Sequence, residues 1–306
     1  MSRLENRNRS VTPTSRNGHE ILLFYKKEGR IYLEYTVHNR GYAVRTPCSE
    51  VWPVQRRGAQ RMHKAGRWLR RAVAVLLAAV LAAVLLAGGW FGLQGWQMYR
   101  RAIQTTPIQG MYQQIQQRGD FVGCGQLPPL YLQAVISVED RRFESHPGID
   151  LVAIGRALVT NLRTRSLAEG GSTITQQLAK NELFTQEKQL TRKAAEVFAA
   201  FALERTYTKQ QILEMYVNTI YFGSGYYGIH DAAQGYFGCE PSQLADWQAV
   251  MLAGLPNAPS AYSPDKSPQL ALERTRAVLR RMADHGTITL DRAAELAQQA
   301  ENEYGR

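Results

Sequence analysis

Residues Ala72 to Leu93, AVAVLLAAVLAAVLLAGGWFGL, run for 22 residues without a charge or a proline. A helix rises about 1.5 Å per residue, so this run just exceeds the roughly 30 Å hydrocarbon core of a bilayer. It predicts a single transmembrane helix. A buried helix of a soluble protein is the alternative, and that length without a polar side chain argues against it. Trp90, Trp96 and Tyr99 fall at or near one end, where amphipathic rings favour the interface.

The span explains the charge. Residues 1–71 hold 16 Lys and Arg against 5 Asp and Glu, which accounts for the whole formal net charge of +11; the remainder has 21 of each. Seven of the basic residues lie in QRRGAQRMHKAGRWLRR, directly before the span, and only Arg100 and Arg101 follow closely. This asymmetry predicts a signal anchor with a cytoplasmic N-terminus and residues 94–306 outside the cytoplasm. A cleaved signal peptide fits poorly, because both the lead and the apolar run are too long. The basic stretch reads as an orientation signal that can also meet anionic lipid heads, in preference to a nucleic-acid site. Of the cysteines, Cys48 falls on the cytoplasmic side and Cys124 and Cys239 on the other. Whether those two pair is open.

The organisation expected is a basic N-terminal region (1–71), the span (72–93), a linker (94–109) and an outer domain (110–306). Residues 1–19 are polar, with disorder expected. Ile21–Val37 reads as a β-hairpin around Lys-Glu-Gly, too small to be stable without more strands or a partner. The outer domain is mainly α. Pro128–Pro129 opens a helix reaching Glu139, and Asp150 caps a second with Leu151, Ile154, Leu158 and Leu162 on one face. Ser172 is the expected cap of a third, Thr191 precedes a fourth and Thr208 a fifth. Further helices run through HDAAQGYF, DWQAVMLAGL and LERTRAVLRRM. No clear strand is expected after the span.

Glu139 is the anomaly in this pattern. Leu132, Val135 and Ile136 recur at helical spacing, and a carboxylate continues the stripe. It is either a rim acid or one held half-buried. Thr173, Gln177 and Lys180 form a polar stripe on the third helix, and Arg192, Lys193 and Glu196 stand within a turn of the fourth. Each alone is explained equally by a solvated face or an intrahelical ion pair.

In combination these stretches carry a resemblance. EDRRFESHPG, GGSTITQQLAKN, RKAAE, KQQILEMYVN and AVMLAGLPNAPSAYSP resemble, in order and spacing, the motifs of the peptidoglycan glycosyltransferases. These are the family-51 enzymes that also form the transglycosylase domain of class A penicillin-binding proteins. The resemblance covers roughly residues 110–285 and implies a lysozyme-like helical fold with a membrane-dipping lobe. It implies transfer of a glycan from its lipid pyrophosphate to the 4-hydroxyl of lipid II, with inversion, at a bacterial inner membrane. It assigns Glu139 as general base and Glu196 as a second catalytic glutamate, which orients the neighbouring basic residues or shares a divalent cation, magnesium or manganese, with the pyrophosphate. Asp140, Phe143 and His146 shape the loop behind the base and count with the substrate-binding residues. Lys180, Arg192 and Lys193 supply charge to the pyrophosphate, Ser172, Thr173 and Gln177 supply donors, and Asn181 completes the set. Lys209, Glu214 and Asn218 match the fourth motif as scaffold. The implied partners are lipid II, the growing strand, membrane lipid and other wall-synthesis or division proteins, with no nucleic acid.

Two positions depart from the family pattern, Cys239 where lysine is frequent and Asp246 where glutamate is. The transpeptidase that follows this domain in many relatives needs S-x-x-K, S-x-N and K-T-G. Only a proline-containing SPDK (Ser263–Lys266) is present, so a monofunctional polymerase is expected. A lysozyme-like hydrolase shares the fold but needs neither the cations nor an anchor. A non-catalytic scaffold would tolerate loss of a glutamate, and both are present.

Overall fold

The computed structural model describes residues 20–27, 30–37, 43–47, 57–165, 170–184 and 190–304. The expected disorder of residues 1–19 and the position of Cys48 lie outside these. The chain divides into two units, residues 1–83 and 84–306.

In the first unit, strands β1 (Glu20–Lys27), β2 (Arg30–Val37) and β3 (Ala43–Pro47) form an antiparallel sheet in that order. Glu20 pairs with Val37 and Lys27 with Arg30, while Tyr32 pairs with Pro47 and Thr36 with Ala43. The third strand goes beyond the expected hairpin.

Helix α1 (Arg57–Thr105) is 49 residues long. Its stretch from Trp68 onward is long and apolar enough to cross a membrane, and Leu77, Leu81 and Leu85 are exposed on it. The helix outruns the apolar segment because no proline interrupts it between Pro53 and Pro107. Residues 94–105, expected as linker, therefore continue the helix.

In the second unit α1 ends against α6 (Leu190–Thr206). Gly95 makes the approach possible, since a Cβ there would lie 2.5 Å from the Ala194 Cβ. Next to it, the Trp96 ring meets Phe198 edge-on at 5.2 Å between centroids. The short α2 (Met111–Gln116) follows, then α3 (Pro129–Glu139), α4 (Leu151–Thr164), α5 (Ile174–Leu183) and, after α6, α7 (Lys209–Val217). Asp150 caps α4 and Thr208 caps α7, as expected, each accepting from the backbone three residues on. The third-helix cap is Thr173, one residue later than Ser172. Two short strands, β4 (Tyr221–Gly223) and β5 (Tyr226–Tyr227), form where none was expected. They lead to α8 (Ile229–Phe237), α9 (Asp246–Gly254), α10 (Pro259–Tyr262), α11 (Pro268–Asp284) and α12 (Leu290–Tyr304).

The core forms around α9, whose residues from Ala249 to Ala253 are fully buried between α3 and α11. Asp246, at its start, pairs with Arg292 of α12. A polar clamp ties the segment before α3 to α7. The Asn218 amide accepts from the Val122 N–H at 2.8 Å and donates to the Val122 and Glu214 carbonyls, both at 2.8 Å. It serves Val122 as a neighbouring strand would. Glu214 accepts from the Tyr112 hydroxyl (2.5 Å) and the Cys124 N–H (3.0 Å). Cys124 and Cys239 are free thiols. Burial, reinforced by Glu214, pushes the Cys124 thiol up to about 12.

Asn218→Ala would leave the buried Val122 N–H and C=O without side-chain partners. A loss of about 2–4 kcal/mol is expected, seen as a lower denaturation midpoint at unchanged slope for the detergent-solubilised chain.

Candidate active site

Glu139 is the last residue of α3, because Asp140 turns the chain to φ −157° and breaks the helical path. Its carboxylate therefore sits at the negative end of the helix dipole. Gln177 Nε2 donates to its Oε2 at 2.7 Å. Burial, the largest influence, raises the proton affinity of Glu139; the Gln177 donor, Arg274 and Arg281 oppose the rise, and Asp140 adds to it. Desolvation penalises the charged form, while the donor and the two cations favour it.

The two arginines come from α11 at i and i+7. Arg274 lies against Gly254 and donates from Nε to its carbonyl at 2.9 Å. Gly254 permits this, since an added Cβ would come within 3.1 Å of Arg274 Cγ. Arg281 donates to the Val138 carbonyl at 3.1 Å, in the last turn of α3. Sequence reasoning missed both. The only signal was the spacing of cations in LERTRAVLRRM, which an exposed helix face would show equally.

Asp140, Phe143, His146 and Thr173, grouped by sequence with the substrate-binding residues, are buried and engaged with the protein itself. His146 Nε2 lies 2.9 Å from both Asp140 oxygens, and its Nδ1 accepts from the Gly148 N–H, so the ring proton is on Nε2. Asp140 also accepts from the Ile174 N–H at 3.0 Å. Thr173 Oγ1 donates to the Gly148 carbonyl at 2.6 Å and accepts from the Gln176 N–H. Phe143 lies beneath the Lys209 ammonium, which also bonds the His146 carbonyl and Glu204. These side chains hold the loop between α3 and α4 against the start of α5. At its far end Arg142 pairs with Asp150, and this contact, the largest influence, holds the Asp150 carboxyl down to about 2.

The cations gather on the first turns of α6. Arg192 Nε donates to Glu196 Oε1 at 3.1 Å, and Lys193 Nζ to Glu196 Oε2 at 2.8 Å and to Ser172 Oγ at 2.7 Å. Glu196 is only 2% exposed, whereas the Lys193 side chain is 48% exposed. Lys180 and Asn181 are half-buried on α5, and the Lys180 ammonium meets no acceptor among the described residues. The structure thus makes two groups: Glu139 with Gln177, Arg274 and Arg281, and Glu196 with Arg192, Lys193 and Ser172. Gln177, expected among the pyrophosphate donors, belongs to the first. A resident divalent cation does not fit the second. Both Glu196 oxygens already serve cations, and no three metal-binding side chains converge among the described residues.

The site thus holds a half-buried carboxylate and a separate cationic cluster, groups of the kind that can accept a proton and bind an anion. A family profile described as Transglycosylase matches residues 105–283, and the chain belongs to this family. Penicillin-binding protein 1A of Aquifex aeolicus is 44% identical over 193 residues, covering 61% of this chain and 27% of that protein. Penicillin-binding protein 1A/1B of Bacillus subtilis is 47% identical over 170 residues, 55% of this chain and 19% of its own. A Cupriavidus necator chain named as a transglycosylase is 44% identical over 170 residues, 56% of this chain and 73% of its own. The chain thus spans about a quarter or less of the two penicillin-binding proteins. Among solved structures, penicillin-binding protein 1A of Haemophilus influenzae overlays 60% of this chain and 17% of its own, at 24% identity and a TM-score of 0.35.

The Arg142–Asp150 pair sets a pH dependence. A carboxyl depressed from near 4 to about 2 contributes stability that is full above pH 4 and lost as pH falls through the folded value. Melting temperatures of wild type and Arg142→Gln should differ most above pH 4 and converge towards pH 2. A constant difference would contradict the assignment.

Proposed function

We propose that this chain polymerises peptidoglycan glycan strands, transferring the growing chain from its lipid pyrophosphate to the 4-hydroxyl of lipid II. The observation that carries the reading is the half-buried Glu139 carboxylate, hydrogen-bonded to Gln177 and of raised proton affinity, together with a separate set of cations. Glu139 takes the proton of the acceptor hydroxyl, whose oxygen attacks the donor's anomeric carbon. The bond from that carbon to the pyrophosphate oxygen breaks, and the lipid pyrophosphate leaves with the electron pair. A base with proton affinity raised towards the working pH suits this step better than a solvated carboxylate. One in-line displacement converts an α-linked donor to a β-linked product, without a covalent sugar intermediate.

Arg192, Lys193 and Lys180 stabilise charge on the departing pyrophosphate, each fixed cation or donor contributing about 2–4 kcal/mol in comparable sites. Glu196 holds Arg192 and Lys193 in place between turnovers. Magnesium or manganese, if used, would enter with the pyrophosphate. The charge asymmetry around the apolar helix supports a single-pass inner-membrane protein with a cytoplasmic N-terminus and the site on the outer face. The apolar face of α4, with Leu151, Leu158 and Leu162 60–71% exposed, suits contact with membrane lipid near the substrate's own anchor. Ser263 of SPDK is fully buried and donates to the Pro259 carbonyl, so it offers no acyl-transfer nucleophile.

Lipid II labelled on its sugar, incubated with the solubilised chain and resolved on a gel, tests the proposal. Wild type should give a muramidase-sensitive ladder. Glu139→Gln should lower the rate by about 10²–10⁴-fold and Lys193→Met by about 10²–10³-fold. Undiminished polymer from Glu139→Gln would remove the base, and no polymer from wild type would leave a scaffold.

A further inference from the structure

The reaction as written makes no use of Tyr216, a fully buried phenol of α7 whose hydroxyl reaches towards the base. Tyr216 donates to Gln177 Oε1 at 3.3 Å, while the other end of the same amide, Nε2, donates to Glu139 at 2.7 Å. We infer that Tyr216 is a positioning residue for the transfer reaction, fixing which way round the Gln177 amide lies and so keeping an N–H on Glu139. The inference rests on the proposed role of Glu139 as base.

The two ends of a primary amide are nearly equal in size but opposite in hydrogen-bonding sense. Reversed, Gln177 would aim its carbonyl at the Glu139 carboxylate, a contact tolerated only when the acid is protonated. Tyr216 disfavours that arrangement because its single proton then loses the only acceptor it has among the described residues. Burial, with Glu139, Tyr131 and Asp140 nearby, pushes the ionisation of Tyr216 far up, so it remains a donor wherever the enzyme works. The other groups acting on Glu139 are Arg274 and Arg281 from α11 and its neighbour Asp140. The arginines lend charge, but Gln177 alone gives Glu139 a directed hydrogen bond among the described contacts.

The test is the pH profile of lipid II polymerisation by the full chain in detergent, for wild type, Tyr216→Phe, Gln177→Met, the double variant and Glu139→Asp. Tyr216→Phe should lower kcat at neutral pH about three- to tenfold, with KM nearly unchanged, and move the acid limb to higher pH. Gln177→Met should move the limb the same way, and adding Tyr216→Phe should move it no further. A limb that overlays wild type in Tyr216→Phe, or that moves by the sum of both shifts in the double variant, overturns the inference. If Tyr216→Phe does not fold, Gln177→Met decides, and an unmoved limb there overturns it equally. Glu139→Asp separates the two levels. If it leaves the limb in place, the base reading fails and takes this inference with it. If it moves the limb and Tyr216→Phe does not, the inference alone fails.

Discussion

The carboxylate of Asp140 is buried immediately beside Glu139, and the loop that shapes the site depends on keeping that charge satisfied. A buried carboxylate needs hydrogen bonds or a counter-charge to be tolerated. Asp140 obtains them from His146, six residues on, and from the first backbone N–H of α5. Those contacts fold the chain back after α3 and bring α5 to Glu139. Thr173 then closes the same corner from the other side through the Gly148 carbonyl. Residues that look like a substrate-binding row in the sequence are the fastening that makes the row possible.

Helix α5 is consequently the common wall of both chemical groups. Its first turn follows Ser172, which accepts from Lys193, and its second carries Gln177, which donates to Glu139. A helix capped at Thr173 by a reciprocal box with Gln176 is fixed at the end where this matters. The buried α9 supports α3 and α11 together, so the carboxylate and the arginines that moderate it rest on one core.

Much of this was legible in the sequence. The apolar run, the caps Asp150 and Thr208, and the helices through the five motifs follow from periodicity and from the chemistry of single residues. The anomaly at Glu139 was visible as a carboxylate in an apolar stripe. What was not legible concerns neighbours distant in sequence. A polar stripe does not say whether Gln177 faces a pyrophosphate or a base, nor whether Asp140 and His146 turn outward or to each other. Arg274 and Arg281 sit in a helix rich in basic residues, where spacing alone cannot separate a site from a solvated face. Residues 94–105 continue a helix because nothing stops them, which composition reads less readily than a break.

The pairing of Glu196 with Arg192 and Lys193 gives the anion cradle a resident competitor. A ligand with one negative charge would only exchange one carboxylate-like partner for another and gain little. An anion with several charges can engage both cations more strongly than a single carboxylate does, so a cradle built this way would select by charge number as much as by shape. The same carboxylate is in place to reclaim its partners once a product begins to loosen. Discrimination on entry and assistance on exit would then be two directions of one exchange, driven by a side chain that never leaves the protein.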